Sequence, residues 1–272
     1  KEPGHFCDDI YAEGFSASYQ KMLRWDEAQY FKAEALGQRH MAFVRGRENY
    51  DRLVSEAAEA PYILDASTAY LPSLNAAENI AGYNREAKII VSLRNPATRA
   101  YSHYNMARKY GKEQRSFLDA IKAEGALEKA RWGWDECYLE LGDYAPQLKR
   151  WLKHFSMNQI HVVWQDELLA EPAATLQGIS KFLGLKEDLK PLAEEKHGAE
   201  VPKNKAVGKV LGGIGPAVAS ILPEKIKTSV KNIVLAKPEG MEEAARSFLL
   251  RYFAPSIEAL EKLLEKNLTH WK

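Results

Sequence analysis

The sequence predicts an α/β protein: a parallel sheet flanked by helices, followed by a helical C-terminal tail. Three observations carry this reading. Two short β-branched runs, Ile89-Ile90-Val91-Ser92-Leu93 and Gln159-Ile160-His161-Val162-Val163-Trp164, read as buried strands. Segments of helical periodicity separate and follow them, and that alternation implies parallel strands with right-handed crossovers. The chain has 272 residues with 46% apolar content, enough for one large α/β domain with a full core or for two small domains.

Taken in order, Ser16 to Gln38 reads as helix, with Tyr19, Leu23, Tyr30 and Phe31 among charges. Arg47 to Ala60 is a second helix, ending before Pro61. Tyr62-Ile63-Leu64, closed by Asp65, is expected to be a short buried strand. The run from Ile89 is expected to be covered on both faces. Asn95 is a good N-cap and Pro96 suits the first helical position, so a helix should run from Pro96 to about Lys109 and end at Gly111. A helix from Tyr144 carries Leu148, Trp151, Leu152 and Phe155 on one side. Thr175 to Leu183 is helical and closed by Gly184. Val201 to Gly215, rich in Lys and Gly, reads as loop. From Met241 the chain is helical again, with Pro255 breaking or kinking it and Leu260, Leu263, Leu264 and Leu268 forming an apolar face.

Bulk chemistry excludes several classes. Lys and Arg total 38 against 37 Asp and Glu, so the overall charge gives no reason to expect nucleic acid or an anionic membrane as partner. No apolar run reaches the roughly 18–20 residues that span a bilayer. Cys7 and Cys137 form no CxxC pair, and two reduced thiols are expected. His40, His103, His154, His161, His197 and His270 show no metal-ligand spacing, so no metal is expected. No GxxxxGK[ST] run is present, which argues against a nucleotide kinase.

The informative segment is IIVSLRNPATRAYSHY, from Ile89 to Tyr104. A strand ends at Arg94 and a helix opens immediately behind it. In open α/β sheets ligands sit beyond the carboxyl ends of strands, and helix N-termini favour anions through their N–H groups and dipole. Arg94 therefore stands where a phosphate would sit. Ser102, seven residues into the helix, lies about 10 Å along its axis. A long Arg side chain folded along the helix would converge with Ser102 on one phosphate. The alternative is an Arg94–carboxylate pair and an ordinary helix hydroxyl.

This segment closely resembles the 3′-phosphate-binding motif of sulfotransferases. KEPGHFCDD at the start resembles that family's KEPHFFSDD-like segment, with Gly4 and His5 in place of His and Phe. YILDASTAYL resembles its GEASPSYL, with Thr68 in place of the usual Pro and Ala66 where some sugar sulfotransferases carry Lys. YLELGDYAPQLKRWLKHF and DELLAEPAATLQGISKFLGL resemble two further family segments in the family's order. The resemblance is to the carbohydrate and bacterial branch.

The resemblance implies a P-loop-NTPase-like fold in a single domain, residues 1–272. It implies transfer of a sulfuryl group from 3′-phosphoadenosine 5′-phosphosulfate, leaving 3′-phosphoadenosine 5′-phosphate, to a hydroxyl or amine of a glycan, glycolipid or small metabolite. Arg94 and Ser102 inherit the 3′-phosphate, and Glu2 the role of general base. His5 is a second candidate for proton handling. Lys203 is an ancillary phosphate contact, and Lys1 a cofactor or acceptor contact. Arg131, Trp132 and Trp134 supply a cation and aromatics that suit a sugar face, against the alternative that they pack a loop on the core. Arg99 is expected to pair with a surface carboxylate. The chain begins without Met and inside a motif, so the family's 5′-phosphosulfate loop is expected upstream of Lys1. A bacterial cytoplasmic location is expected, or the Golgi lumen if an N-terminal anchor precedes the chain. A non-catalytic nucleotide- or glycan-binding protein on the same fold is the alternative function.

Overall fold

The computed structural model describes residues 2–10, 15, 20, 25–39, 42–55, 57, 59–126, 137–191, 201–202, 235–236 and 238–272. The chain divides into two compact units: Lys1–Ser92 with Pro146–Val163, and Leu93–Ala145 with Trp164–Lys272.

The first unit holds α1 (Glu27–Tyr30), α2 (Arg47–Ser55), a 3-10 turn at Thr68–Tyr70, α3 (Ala76–Tyr83) and a parallel sheet of β1 (Ile89–Leu93) and β2 (Ile160–Trp164), each strand crossing into the second unit at its last residue. Asp26 caps α1 by accepting from the Gln29 N–H at 2.8 Å. Ahead of β2 the chain folds back onto the residues behind the 3-10 turn. Trp151 Nε1 donates to the Leu71 carbonyl at 3.3 Å and Arg150 Nη2 to that of Pro72 at 2.7 Å. Leu148, Trp151 and Phe155 are buried there, the side foreseen from their spacing.

Two strand expectations are corrected. Tyr62-Ile63-Leu64 forms no strand, and Leu64 is 81% exposed. A strand needs a hydrogen-bonding neighbour, and among the described residues none pairs with this run; Asp65 draws the following residues into a turn instead. β1 alternates rather than being covered on both faces: Val91 and Leu93 are buried while Ile90 and Ser92 are exposed.

The second unit holds α4 (Pro96–Lys109), α5 (Phe117–Gly125), the start of α6 (Tyr144–Trp151), α7 (Gln165–Ala170), α8 (Pro172–Leu183), a short antiparallel pair of β3 (Val201–Pro202) and β4 (Leu235–Ala236), and α9 (Glu243–Leu264). The pairing at Val201–Pro202 replaces the loop expected there, and the rest of that stretch lies outside the described residues. Gly111 and Gly184 follow their helices with φ of 69° and 74°, left-handed values that glycine reaches without strain. α9 runs unbroken through Pro255. Arg251 and Pro255 both lie on its exposed side, where water can satisfy the carbonyl that proline leaves without a donor. Ala245, Leu249, Phe253, Ile257 and Leu260 form its buried stripe, and full burial of a Leu or Phe side chain contributes about 1.5–3 kcal/mol. No described helix is long and apolar enough to cross a membrane.

Candidate functional site

The best-defined feature lies at the start of α4. Asn95 caps the helix: its side chain accepts from Ala97 N–H at 3.0 Å and Thr98 N–H at 3.2 Å. Pro96 has no N–H, so the first-turn donors are already used. An anion here would therefore be held by side chains, not by the backbone N–H groups expected from sequence. Two side chains there are linked by hydrogen bonds. Arg94 Nε donates to Thr98 Oγ1 at 3.0 Å, which folds the arginine along the first turn. Thr98 Oγ1 in turn donates to the Asn95 carbonyl at 3.0 Å. Positions 98 and 102 are one turn apart on α4 and share a face, and Arg94, which precedes the helix, is tied to that face through Thr98. Among the described residues the Ser102 hydroxyl makes no hydrogen bond, and Arg94 uses only Nε. Burial lowers the pKa of the Arg94 guanidinium from its ordinary value, yet an arginine so placed remains a cation at neutral pH. A guanidinium and a hydroxyl on one helical face fit a phosphate monoester.

Behind this face the second unit is tightly wired. Arg99 does not pair with a surface carboxylate: its Nη2 donates to the Tyr138 carbonyl, and its Nε has neither solvent contact nor a partner among the described residues. The helical repeat turns position 99 inward, where the carbonyl is the available acceptor. Glu124 on α5 accepts from the N–H groups of Leu139 at 2.7 Å and Glu140 at 2.9 Å, and burial pushes its carboxyl up to about 7. Burial, with the Arg99 charge adding to it, pulls His103 down to about 3, so the imidazole is neutral at physiological pH. The segment 138–140 is thus clamped from α4 and from α5.

Glu2 and His5 belong to the first unit. The extended chain at Glu2 and Pro3 is held through its carbonyls, which accept from Ala42 N–H at 2.9 Å and Val44 N–H at 2.8 Å. Gly4 has φ of 56°, and a Cβ there would stand 2.8 Å from the Phe43 ring and 2.9 Å from the Ala42 carbonyl, so glycine is required. Gly4 N–H donates to Ser67 Oγ at 2.9 Å and His5 N–H to Tyr70 Oη at 3.0 Å. Both acceptors are themselves fixed by Asp65, which receives Ser67 Oγ at 2.6 Å, Tyr70 Oη at 2.6 Å and Tyr50 Oη at 3.2 Å. Burial first, and the Asp65 charge next, raise the pKa of Tyr50 and Tyr70, so both remain protonated donors.

On this platform the half-buried Glu2 carboxylate receives Thr68 Oγ1 at 3.0 Å and Thr68 N–H at 3.5 Å, both on Oε2. The His5 ring stacks on Tyr50 at 4.5 Å, with Nδ1 2.9 Å from the Val44 carbonyl. A carbonyl only accepts, so Nδ1 carries the hydrogen, and in the neutral ring Nε2 holds the lone pair.

Of the remaining candidates, Lys1, Arg131, Trp132, Trp134 and Lys203 lie outside the described residues. Among the described residues no group of three or more His, Cys, Asp or Glu could hold a metal. Cys7 and Cys137 are buried and form no disulfide, and burial raises the Cys7 thiol to about 12, which makes it inert. Sequence reasoning gave Thr98, Asp65 and Thr68 no functional role. The four-residue spacing from Arg94 would have found Thr98; nothing local in sequence points to the other two.

Residues 72–209 match the sulfotransferase domain family. A bifunctional heparan sulfate N-deacetylase/N-sulfotransferase 1 from Caenorhabditis briggsae is 35% identical over 136 residues, 47% of this chain and 16% of that protein. Heparan sulfate glucosamine 3-O-sulfotransferase 3A1 from Mus musculus is 28% identical over 147 residues, 53% of this chain and 36% of that protein. The chain therefore spans well under half the length of these curated relatives. A crystal structure of a sulfotransferase from Alicyclobacillus acidocaldarius aligns with a TM-score of 0.66 at 22% identity, covering 100% of this chain and 86% of that one, a likeness of fold.

Proposed function

We propose that this chain, which belongs to the sulfotransferase family, moves a sulfuryl group from 3′-phosphoadenosine 5′-phosphosulfate to a hydroxyl or amine of a glycan, glycolipid or small metabolite. The observation that carries the reading is Arg94, tied to Thr98 at the start of α4 on the face that also carries Ser102, a cationic and hydroxylic surface suited to a nucleotide 3′-phosphate. The names of the relatives, which act on heparan sulfate, favour a glycan among these acceptors.

The chemistry is an in-line displacement at sulfur. Glu2 takes the proton of the acceptor hydroxyl or amine as that atom bonds to sulfur. The bond from sulfur to the 5′-phosphate oxygen breaks, and its electron pair leaves with 3′-phosphoadenosine 5′-phosphate. A positioned base is worth ~10²–10⁴-fold in such a step. His5, with Nε2 as the basic nitrogen, is the second proton acceptor. Lys203 is assigned an ancillary phosphate contact, and Lys1, Arg131, Trp132 and Trp134 contacts on the acceptor side. No metal takes part in this scheme.

The test is a transfer assay. The full-length protein is incubated with ³⁵S-labelled donor and a panel of unsulfated glucosaminyl polysaccharides, glycolipids and small hydroxylated metabolites. Label should move to a glycan with stoichiometric release of 3′-phosphoadenosine 5′-phosphate. Tight nucleotide binding with no transfer to any acceptor would overturn the enzyme reading in favour of a binding protein on the same fold.

A further inference from the structure

We propose that Thr68 is a positioning residue for the carboxylate of Glu2, a role that rests on Glu2 being the general base. The residues around Glu2 fix its main chain: the Ala42 and Val44 N–H groups hold one edge, and Ser67 and Tyr70 hold the residues that follow. None of those bonds reaches the carboxylate. Thr68 does so twice, through its hydroxyl at 3.0 Å and its N–H at 3.5 Å.

Both bonds fall on Oε2. Fixing one oxygen of a carboxylate from two directions fixes the plane of the group, and with it the direction of the lone pairs that receive a proton. Thr68 is suited to this by place as well as chemistry. It opens the 3-10 turn Thr68–Tyr70, where its N–H has no partner within the turn and projects outward. That turn is anchored by Tyr70 and Ser67 to Asp65, so the donors sit on a fixed base. Thr68 itself is exposed, so its donors lie at the surface and not in the core. A proline at this position, which family segments of this kind carry, has neither an N–H nor a hydroxyl and can make neither bond. The replacement therefore adds a device that such segments lack.

The experiment uses the full-length enzyme with the variants Thr68→Val, Thr68→Ser, Thr68→Pro and Glu2→Gln, each checked by thermal melting and by nucleotide affinity. Thr68→Val keeps the shape and removes the hydroxyl; it should lower kcat by ~10-fold while acceptor KM stays within ~2-fold, because orientation of a base acts in the transition state. Thr68→Ser should restore kcat to within ~2-fold of the parent. Thr68→Pro, which fits the first position of a helical turn, removes both donors and should lower kcat at least as far as Val.

A Glu2→Gln enzyme that keeps most of its turnover removes the base, and Thr68 falls with it. A Glu2→Gln enzyme reduced ~100-fold, beside Val and Pro variants of parental kcat, leaves the base standing and overturns the role of Thr68 alone. If Thr68→Val melts early, the Ser and Pro variants decide the matter: parental kcat in Pro, or a loss in Ser equal to that in Pro, overturns the role.

Discussion

Arg94, Thr98 and Ser102 lie within nine consecutive positions of the chain, whereas Glu2 is held by a threonine 66 positions away. The face proposed for the phosphate is a local arrangement, Arg94 just ahead of α4 and Thr98 and Ser102 one turn apart on it, that follows from a short stretch of sequence. The carboxylate platform is a knot of segments 2–5, 42–44, 50 and 65–70, tied through the single side chain of Asp65. A site built along one helix is local, and its function can be altered without undoing the fold. A site built between distant segments is coupled to the folding of everything that frames it.

That contrast can be broken at three points. The largest effect belongs to the knot. Asp65→Ala leaves Tyr50, Tyr70 and Ser67 without their acceptor, and hydrogen bonds to a charged, part-buried group make this a loss of about 2–3 kcal/mol in unfolding free energy. Denaturant midpoints check it, and turnover should fall with stability because the platform of Glu2 goes too.

Next comes Arg94→Ala, expected to weaken 3′-phosphoadenosine 5′-phosphate by ~2 kcal/mol, about 30-fold, through loss of a charge-assisted contact. Adenosine 5′-phosphate, which lacks the 3′ group, should bind nearly unchanged, and the melting temperature should hardly move. Equal calorimetric losses for both nucleotides would remove Arg94 from the 3′-phosphate. The smallest effect is that of Thr98→Val, which frees the arginine without removing it. A loss of ~3-fold in bisphosphate affinity is expected, in keeping with one neutral hydrogen bond. No change at all would mean that the arginine needs no tether.

The same contrast explains what could be read beforehand. β1, β2, the cap at Asn95 and the glycine stops at Gly111 and Gly184 all follow from residues close in sequence, and all appear. The errors share a different cause. Tyr62-Ile63-Leu64 has the composition of a strand, but pairing is decided by a neighbour that the run itself does not specify. Ile90 is β-branched like Val91, yet which face is covered depends on what packs above it. Arg99 looks like any helical arginine until the Tyr138 carbonyl is found beneath it. Pro255 is expected to break or kink its helix; α9 is not broken there, because the buried stripe on either side holds it together. Glu2 and His5 could be named only by resemblance, since the bonds that orient them join positions far apart.

Asn95 has one more effect. Because its side chain closes the amino end of α4 from within, the helix is complete before any ligand arrives. Nucleotide capture then resembles docking onto a finished surface, with no segment of α4 waiting to be ordered. Its heat-capacity change should be small and set by the area covered, and departure of the spent nucleotide should need only side-chain rotation at Arg94 and Ser102.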